Sequence, residues 1–340
     1  MHWDPLYLVL GLTILFALVF SMTNGWNDAA NAIATVVSTR GMKPWQAIAL
    51  GATMNLVGAF VSGKVANTVG ADITNTQLTP TTYLAAVMVA PLWAALCTLR
   101  GLPISCGHSL FGGLIGAVLA SAGWEALKGG VGFYKIIFGV LISPVMGFVL
   151  GYGFLLGISW LFRRARPKTA TTIFNKLHVL SAGAMALAHG AGDAQPPMGI
   201  IAGALVAGKF LEKHGDGTLP LVWWIKLSCA LAMTLGTALG GWAVMKTLGS
   251  GLSKLTPHQN FSASAAASTT ILANILGAGI PTSTTHSITG AIAGSGATSG
   301  LRSVKWGVGG KILSAWLFTF PACIAGGAIL YKLLNLLGLK

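Results

Sequence analysis

Long apolar stretches alternate with short polar segments along almost the whole chain. They occupy residues 5–22, 45–63, 82–99, 132–162, 222–245, 262–279 and 306–331. Several reach the roughly 20 residues that a helix needs to cross a hydrocarbon core. The strict alternation of an outer-membrane barrel is absent, so the pattern predicts helices. We therefore expect an all-α polytopic membrane protein with roughly eight to twelve membrane segments, counting full crossings and re-entrant hairpins together.

Composition agrees with this prediction. The chain has 340 residues, of which 54% are hydrophobic and 8% are charged, and its mean hydropathy is +0.74. An ordinary soluble domain would not show these values. The first apolar stretch lacks a basic leader and a small-residue cleavage site, so we expect a membrane helix there and not a signal peptide. Four cysteines lie far apart, which indicates neither a disulfide framework nor a metal cluster.

Basic residues outnumber acidic ones, and their tightest cluster lies near the middle of the chain. There are 21 Lys and Arg against 7 Asp and Glu, and the cluster reads "RRARPK" at 163–168. The positive-inside bias predicts that this linker is cytoplasmic. The other basic residues are dispersed, so we expect no nucleic-acid partner. The expected organisation is a first membrane repeat at 1–162, a basic linker at 163–176 and a second membrane repeat at 177–340.

Two pairs of similar segments indicate an internal duplication. "MTNGWNDAANAIATVVS" at 22–38 aligns with "LAHGAGDAQPPMGIIAG" at 187–203. "LPISCGHSLFGGLIG" at 102–116 aligns with "IPTSTTHSITGAIAG" at 280–294. The chain is therefore predicted to contain two homologous repeats. Similarity alone does not say whether they are inverted or parallel.

Asp28 and Asp193 are the two acids embedded in hydrophobic sequence, and they are partners in the duplication. A carboxylate at membrane depth costs about 2.5–3.5 kcal/mol, so an aspartate there is expected to have a role. The competing interpretation is a helix-capping aspartate in a buried bend. Its occurrence at both equivalent positions favours a functional role.

Polar residues around Asp28 form a stripe. Asn24, Asn27, Asp28 and Asn31 are spaced i, i+3, i+4 and i+7, which is one face of a helix. Amide and carboxylate oxygens on such a face suit a small hard cation or a proton. The alternative is a seam of asparagine hydrogen bonds between helices.

The second half carries a different version of the stripe, so the two sites are not expected to be chemically identical. The corresponding residues are His189, Gly192, Asp193 and Pro196. We expect Na⁺ at Asn27, Asp28 and Asp193. The full set of expected cation-binding or coupling residues is Asn24, Asn27, Asp28, Asn31, His189, Asp193 and Gln195.

The other repeated element reads Pro-x-Ser-x-x-His-Ser before a glycine-rich apolar run. Proline favours the first turn of a helix, where backbone N–H groups have no intrahelical partner. Such a helix start with hydroxyls and a histidine suits a tetrahedral oxyanion. Serines that bond back to their own helix are the alternative. The expected anion-binding residues are Ser105, Cys106, Gly107, His108, Ser109, Ser283, Thr284, Thr285, His286 and Ser287.

These motifs resemble the PiT family of inorganic phosphate transporters. "NGWNDAANA" and "HGAGDAQPPMGI" are similar to its paired aspartate motifs, and "PISCGHS" and "PTSTTHS" to its later motif, in the same order. The resemblance implies inverted repeats, broken helices and re-entrant helical hairpins. It also implies symport of phosphate with Na⁺ or H⁺ by alternating access, no other cofactor, a homodimer, and a location in the bacterial plasma membrane.

The motifs also depart from the family pattern. Gly192 stands where the family usually has Asn, and Cys106 and Gly107 replace hydroxyl positions. A branch of the family transports sulfate, so a sulfate permease is one alternative. A divalent-metal transporter is another, because His, Asp and Asn are competent metal ligands. A hydrolase is not expected, since the adjacent His108 and Ser109 are poorly placed as base and nucleophile.

Overall fold

The computed structural model describes residues 4–39, 41–247 and 252–339, and helices make up most of them. The first half contains α1 (Pro5–Ser38), α2 (Pro44–Gly58), α3 (Lys64–Gly70), α4 (Pro80–Leu99), α5 (Cys106–Ser121), α6 (Trp124–Lys128) and α7 (Val131–Leu161). The second contains α8 (Pro167–Asp193), α9 (Gln195–Ala207), α10 (Trp223–Leu239), α11 (Trp242–Lys246), α12 (Pro257–Ala278), α13 (Thr284–Ala297) and α14 (Trp306–Leu336). A 3₁₀ turn at Leu301–Ser303 precedes α14.

Five helices of the described chain are long and apolar enough to cross a membrane. They are α1, α4, α7, α12 and α14. Large apolar side chains on α7 and α14 are exposed, among them Leu141, Val149, Leu317 and Phe318. Such side chains suit contact with lipid tails, which are as apolar as leucine. The all-α membrane architecture predicted from the sequence is confirmed.

Several helices begin where a cap and a proline stand together. Asp4 precedes Pro5 and accepts a hydrogen bond from the backbone N–H of Leu6 at 2.9 Å. Thr79 and Pro80 start α4 in the same way. The cap satisfies one of the N–H groups that a helix start leaves open, and proline has no such group to satisfy.

Two apolar stretches differ from a simple helix prediction. The stretch 222–245 is divided into α10 and α11, because Gly240 adopts a φ of 62°, in the left-handed region. The first stretch continues far beyond residue 22, as α1 remains helical to Ser38. The polar stripe around Asp28 therefore belongs to this same long helix.

Two helical hairpins bring chain turns into the interior. Residues 100–105 join α4 to α5, and residues 279–283 join α12 to α13. Each turn has a glycine with positive φ near its start, Gly101 at 66° and Gly279 at 62°. The two helices of each hairpin pack together. The hairpins predicted from the resemblance are present; that they re-enter the membrane stays a prediction.

The hairpins pack across the two halves of the chain. Helix α5 lies against α14, and α13 lies against α7. Glycines make these contacts close: a Cβ added at Gly116 would lie 2.0 Å from the carbonyl oxygen of Ile324, and one at Gly294 would lie 2.1 Å from that of Phe148. Small residues at helix interfaces allow such approach of backbones. That the two halves are inverted repeats stays a prediction.

Only a short part of the basic linker is irregular. Helix α7 ends at Leu161 and α8 begins at Pro167, so most of residues 163–176 are already helical. The expected division into 1–162, 163–176 and 177–340 therefore has no long loop to mark it. The division stays a prediction.

Candidate functional site

Two acidic side chains from opposite halves of the chain meet in the interior. Asp28 lies on α1 and Asp193 is the last residue of α8, and both are buried. Between them stands the imidazole of His189, with Nε2 3.7 Å from Oδ2 of Asp28 and 3.4 Å from Oδ2 of Asp193. Ligand atoms of the three side chains all lie within 4.8 Å of one another. The two acids therefore belong to one cluster.

A helix break positions Asp193. Pro196 and Pro197 follow it, and neither can donate an N–H to the carbonyl four residues earlier. The carbonyl oxygen of Asp193 instead accepts a hydrogen bond from Nδ2 of Asn24 at 3.3 Å. A residue of the first motif thus satisfies the backbone of the second. This bond links α1 to the junction of α8 and α9.

The asparagine stripe uses its N–H groups and leaves its oxygens open. Nδ2 of Asn27 donates to Oγ1 of Thr98 at 2.7 Å, and Nδ2 of Asn31 donates to Oγ1 of Thr285 at 3.0 Å. The Oδ1 atoms of Asn24, Asn27 and Asn31 are buried and accept no hydrogen bond within the described residues. Buried polar atoms normally have partners. Three open oxygens on one helix face are the ligand type that hard cations take.

Two threonines of the second-half motif contact the acids. Oγ1 of Thr285 lies 3.1 Å from Oδ1 of Asp28 and 2.8 Å from the carbonyl oxygen of Ile104. Oγ1 of Thr284 lies 3.0 Å from Oδ2 of Asp193 and 3.5 Å from Oδ2 of Asp28. Each hydroxyl has a single proton, so it cannot donate to two oxygens at once. The cluster holds more acceptors than protons.

The serines of the two repeated motifs cap α5 and α13 and line a shared cavity. Oγ of Ser105 accepts from the N–H of His108 at 3.3 Å, and Oγ of Ser283 accepts from the N–H of His286 at 3.2 Å. The cavity is lined by Asn24, Val65, Ser105, Gly107, Phe111, Gly192, Asp193, Pro196, Pro281, Thr282 and Ser283. Its volume of about 10 Å³ holds roughly one water.

The rings of His108 and His286 lie elsewhere. They contact each other edge to face, with centroids 4.3 Å apart, and neither ring lines the cavity in the described structure. The His286 ring lies 3.6 Å from that of Trp316, and the His108 ring lies 5.0 Å from that of Phe320. Both Nε2 atoms are buried without a hydrogen-bond partner among the described residues. Their backbone N–H groups, and not their rings, reach the capping serines.

The remaining residues of the later motif bond within their own helices or pack. Oγ of Ser109 donates to the carbonyl oxygen of Cys106 at 2.6 Å, and Oγ of Ser287 donates to that of Ser283 at 2.8 Å. The thiol of Cys106 is free and buried. Backbone bonding of these hydroxyls is the alternative interpretation of the motif. Gly107, by contrast, lines the cavity.

Gln195 holds a neighbouring helix. Its Oε1 accepts from the backbone N–H groups of Val65 and Ala66, at 2.8 and 3.3 Å, near the start of α3. Its Nε2 donates to the carbonyl oxygen of Ala191. The oxygen that was expected to serve a cation is thus engaged by two backbone donors.

Asn55 and Thr98, which contact residues of the site, were not predicted from the sequence. Nδ1 of His189 lies 2.9 Å from Oδ1 of Asn55, and Nδ2 of Asn55 donates to Oγ1 of Thr237 at 2.8 Å. Oγ1 of Thr98 accepts the hydrogen bond from Nδ2 of Asn27. Asn55 is a lone amide in an apolar segment, which is a signal that could have found it. Thr98 carries no such signal, because threonine is common in apolar helices.

Comparison with known proteins relates nearly the whole chain to phosphate transporters. Residues 24–327 match the Phosphate transporter family. A probable low-affinity inorganic phosphate transporter of Rhizobium meliloti is 40% identical and covers 95% of this chain and 96% of its own length. One with the same description from Bacillus subtilis is 36% identical, covering 98% and 99%.

The fold is also that of a solved structure, described as the sodium-dependent phosphate transporter. It superposes with a TM-score of 0.87 at 24% identity, covering 96% of this chain and 99% of that one. The helices that can span a membrane and the family match together identify an integral membrane protein that is a transporter and not an enzyme. The chain belongs to the phosphate transporter family, the PiT family that its motifs resemble.

Proposed function

We propose that this protein imports inorganic phosphate together with a cation, and that the cation is Na⁺. The observation that carries the proposal is the buried cluster of Asp28, His189 and Asp193 beside a cavity flanked by two serine-capped helix starts. The family match supports phosphate as the substrate. The solved neighbour, described as sodium-dependent, supports Na⁺ over H⁺.

The cation would bind within the acceptor-rich cluster. Asp28 and Asp193 supply carboxylate oxygens, and the open Oδ1 atom of Asn27 supplies another candidate ligand. Oxygen ligands of this kind beside a broken helix recur at Na⁺ sites of transporters. Asn24 and Asn31 carry further open oxygens on the same face of α1. His189 is the basic side chain of the cluster and would compete with the cation when protonated.

Phosphate would bind between the starts of α5 and α13. Helix geometry leaves N–H groups there without intrahelical partners, and Gly107 lets an anion approach the backbone. Ser105 and Ser283 add hydroxyls. The cavity as it stands is too small for phosphate, so binding requires the two hairpin tips to separate.

Acceptors in the cavity would select phosphate over sulfate. Phosphate carries a proton near neutral pH, whereas sulfate does not. Asp193 and the open Oδ1 of Asn24 belong to the cavity lining and can accept a hydrogen bond from that proton. A site built to pair with a donor discriminates strongly against a ligand that lacks it. This supports phosphate, and nothing in the comparisons favours sulfate or a divalent metal as cargo.

Coupling would follow from charge balance. The carboxylates and the anion repel one another, and burying unpaired charge is costly. A cation between them offsets both, so the cluster would close around cation and anion together. Alternating access would then move the hairpins α4–α5 and α12–α13, each together with the helix packed on it, α14 or α7, against the remaining helices. We further propose the inverted repeats, a homodimer and a bacterial plasma-membrane location.

Uptake of labelled phosphate into proteoliposomes tests the proposal. A sodium gradient should drive accumulation, and a proton gradient in sodium-free medium should not. Unlabelled sulfate in excess should leave the uptake unchanged. Accumulation with a proton gradient alone would overturn Na⁺ coupling, and competition by sulfate would overturn the selectivity.

A further inference from the structure

A large basic cavity lies directly beside the candidate site. Its volume is about 590 Å³. We call it the vestibule, and its lining consists of Gly63, Lys64, Asn67, Thr68, Asp72, Lys135, His214, Thr218, Leu219, Leu221, Lys226, Gly277 and Ala278. Lys64 lines the vestibule and the next residue, Val65, lines the small cavity. The two spaces therefore both border the start of α3.

Three lysines and one aspartate give the vestibule a positive balance. Lys135 and Lys226 are half-buried, and neither has an ion-pair partner among the described residues. The one acid, Asp72, accepts a hydrogen bond from Nδ2 of Asn67 at 3.2 Å. Unpaired lysines in a partly enclosed space create a field that concentrates anions.

The positions of these lysines oppose ordinary helix preferences. Lys226 is in the first turn of α10, and Lys135 lies directly after the first turn of α7. The macrodipole disfavours cations at a helix N-terminus. Each of the two helices nevertheless places a lysine near its N-terminus that lines this one cavity. The two ammonium groups act on an anion in the same sense.

Lys64 connects the vestibule to the hairpin α12–α13. Its Nζ donates to the carbonyl oxygens of Leu276 and Gly277, at 2.7 and 3.1 Å. Oγ1 of Thr68 donates to the carbonyl oxygen of Gly279 at 3.0 Å. These bonds hold α3 against the end of α12, next to the turn 279–283 that leads into α13. An anion near Lys64 would compete with the carbonyls for the ammonium group.

We infer that the vestibule is a first docking site for free phosphate, where Lys64, Lys135 and Lys226 collect the anion before it passes Lys64 to the central cavity. This rests on the proposed function. The vestibule lies at the start of α7, and the basic segment 163–166 follows the opposite end of that helix. If that segment is cytoplasmic, the vestibule opens outward, as import requires.

Transport kinetics give the first test. Lys135→Gln and Lys226→Gln should each raise the KM for phosphate about threefold to tenfold, leave kcat unchanged and weaken the ionic-strength dependence of uptake. Lys311→Gln is the matched control, because a Lys-Ile pair stands near the start of α14 (311–312) as it does near the start of α7 (135–136), and Lys311 does not line the vestibule. An unchanged KM in both vestibule variants, or an equal rise in the control, would overturn the inference.

A second test measures how strongly the vestibule attracts anions, and it does not depend on transport. All four native cysteines are buried, so Ala278→Cys provides an exposed thiol in the vestibule of purified, detergent-solubilised protein. An anionic thiol reagent should modify it faster than a cationic one, and adding Lys135→Gln and Lys226→Gln should lower that ratio about threefold or more. Ala122→Cys, exposed at the end of α5, should show no such change.

The same thiol separates the possible sources of the anion. Inorganic phosphate should slow modification of Ala278→Cys in lipid-free protein, whereas protection by anionic lipid alone would overturn docking of the free anion. A protein that shows the reagent preference but no phosphate uptake would refute the proposed function and retain the anion-collecting vestibule. Equal rates for both reagents, with normal uptake, would refute the vestibule alone.

Discussion

Asn24 donates its side-chain N–H to the backbone carbonyl of Asp193, across 3.3 Å and between the two halves of the chain. The carbonyl needs this donor because Pro197 stands where the helix would otherwise supply one. The first motif thereby holds the second in the position from which its carboxylate reaches His189 and Thr284.

Asn24→Leu should destabilise the protein, because it leaves a buried carbonyl without a donor. We expect a loss of about 1–3 kcal/mol. Thermal unfolding in detergent measures it as a lower Tm. Asn335→Leu, at an exposed asparagine near the end of α14, is the control and should leave the Tm near that of the unaltered protein. Equal Tm values for the two variants would show that the Asn24 bond contributes nothing.

Asp28→Asn should remove cation-coupled uptake and leave the fold intact. The amide keeps an oxygen for the hydroxyl of Thr285 but carries no charge to hold Na⁺. We expect uptake under a sodium gradient to fall at least about tenfold, since the loss of one close charge weakens cation binding by more than 1.4 kcal/mol. Proteoliposome uptake and size-exclusion profiles measure the two effects. Glu212→Gln, in an exposed loop, is the control, and sodium-driven uptake by Asp28→Asn at the control's rate would refute the role of Asp28.

His189→Gln should reduce the effect of pH on sodium affinity. In the unaltered protein a protonated imidazole beside both carboxylates opposes a second cation, so the half-saturating sodium concentration should rise as pH falls. Removing the imidazole should lessen this rise by about threefold or more. Sodium titrations of uptake at several pH values measure it. An identical pH dependence in the variant would exclude His189 as the competing group.

Ser105→Ala and Ser283→Ala should each weaken phosphate binding. The change removes a hydroxyl from the cavity and a cap worth about 1 kcal/mol from α5 or α13. We expect the KM for phosphate to rise about fivefold or more, as one hydrogen bond to a charged group is lost. Ser109→Ala is the control, because its hydroxyl bonds its own helix. A KM shift in Ser109→Ala as large as in the capping variants would refute the placement of the anion.

Gly116→Ala should destabilise the contact between α5 and α14. The added methyl group would stand 2.0 Å from the carbonyl oxygen of Ile324, so the helices must move apart. Overpacking of this kind costs about 1–3 kcal/mol. Gly153→Ala is the control, since nothing lies within 4 Å of its added Cβ. Thermal unfolding should show a lower Tm for Gly116→Ala only, and a similar Tm in both would contradict the close packing.

Sequence reasoning found the acids because composition isolates them. Asp28 and Asp193 are the two carboxylates in apolar sequence, and their matched positions in the duplication indicated a shared role. The repeated motif also located two helix starts, at Ser105 and Ser283, but its prolines lie before the caps and not in the first turn. The break at Gly240 had a signal as well, in the pair of glycines at 240–241.

Contacts between distant segments could not be read in the same way. The rings of His108 and His286 meet because two hairpins from separate halves approach at their tips. The hydroxyl of Thr285 lies near Asp28 because α13 contacts α1. A motif gives the chemistry of a side chain and not its direction. Gln195 is a further case, since its contact with the start of α3 depends on how α9 packs against α3.

Each hairpin packs on a long helix from the other half of the chain, and this has a consequence for biogenesis. Helix α5 rests on α14, which follows every other described helix in the chain, and α13 rests on α7. The α4–α5 hairpin must therefore wait until α6 to α13 have been synthesised before the helix that it packs against exists. Until then it depends on lipid, the translocon or a chaperone to shelter its polar tip.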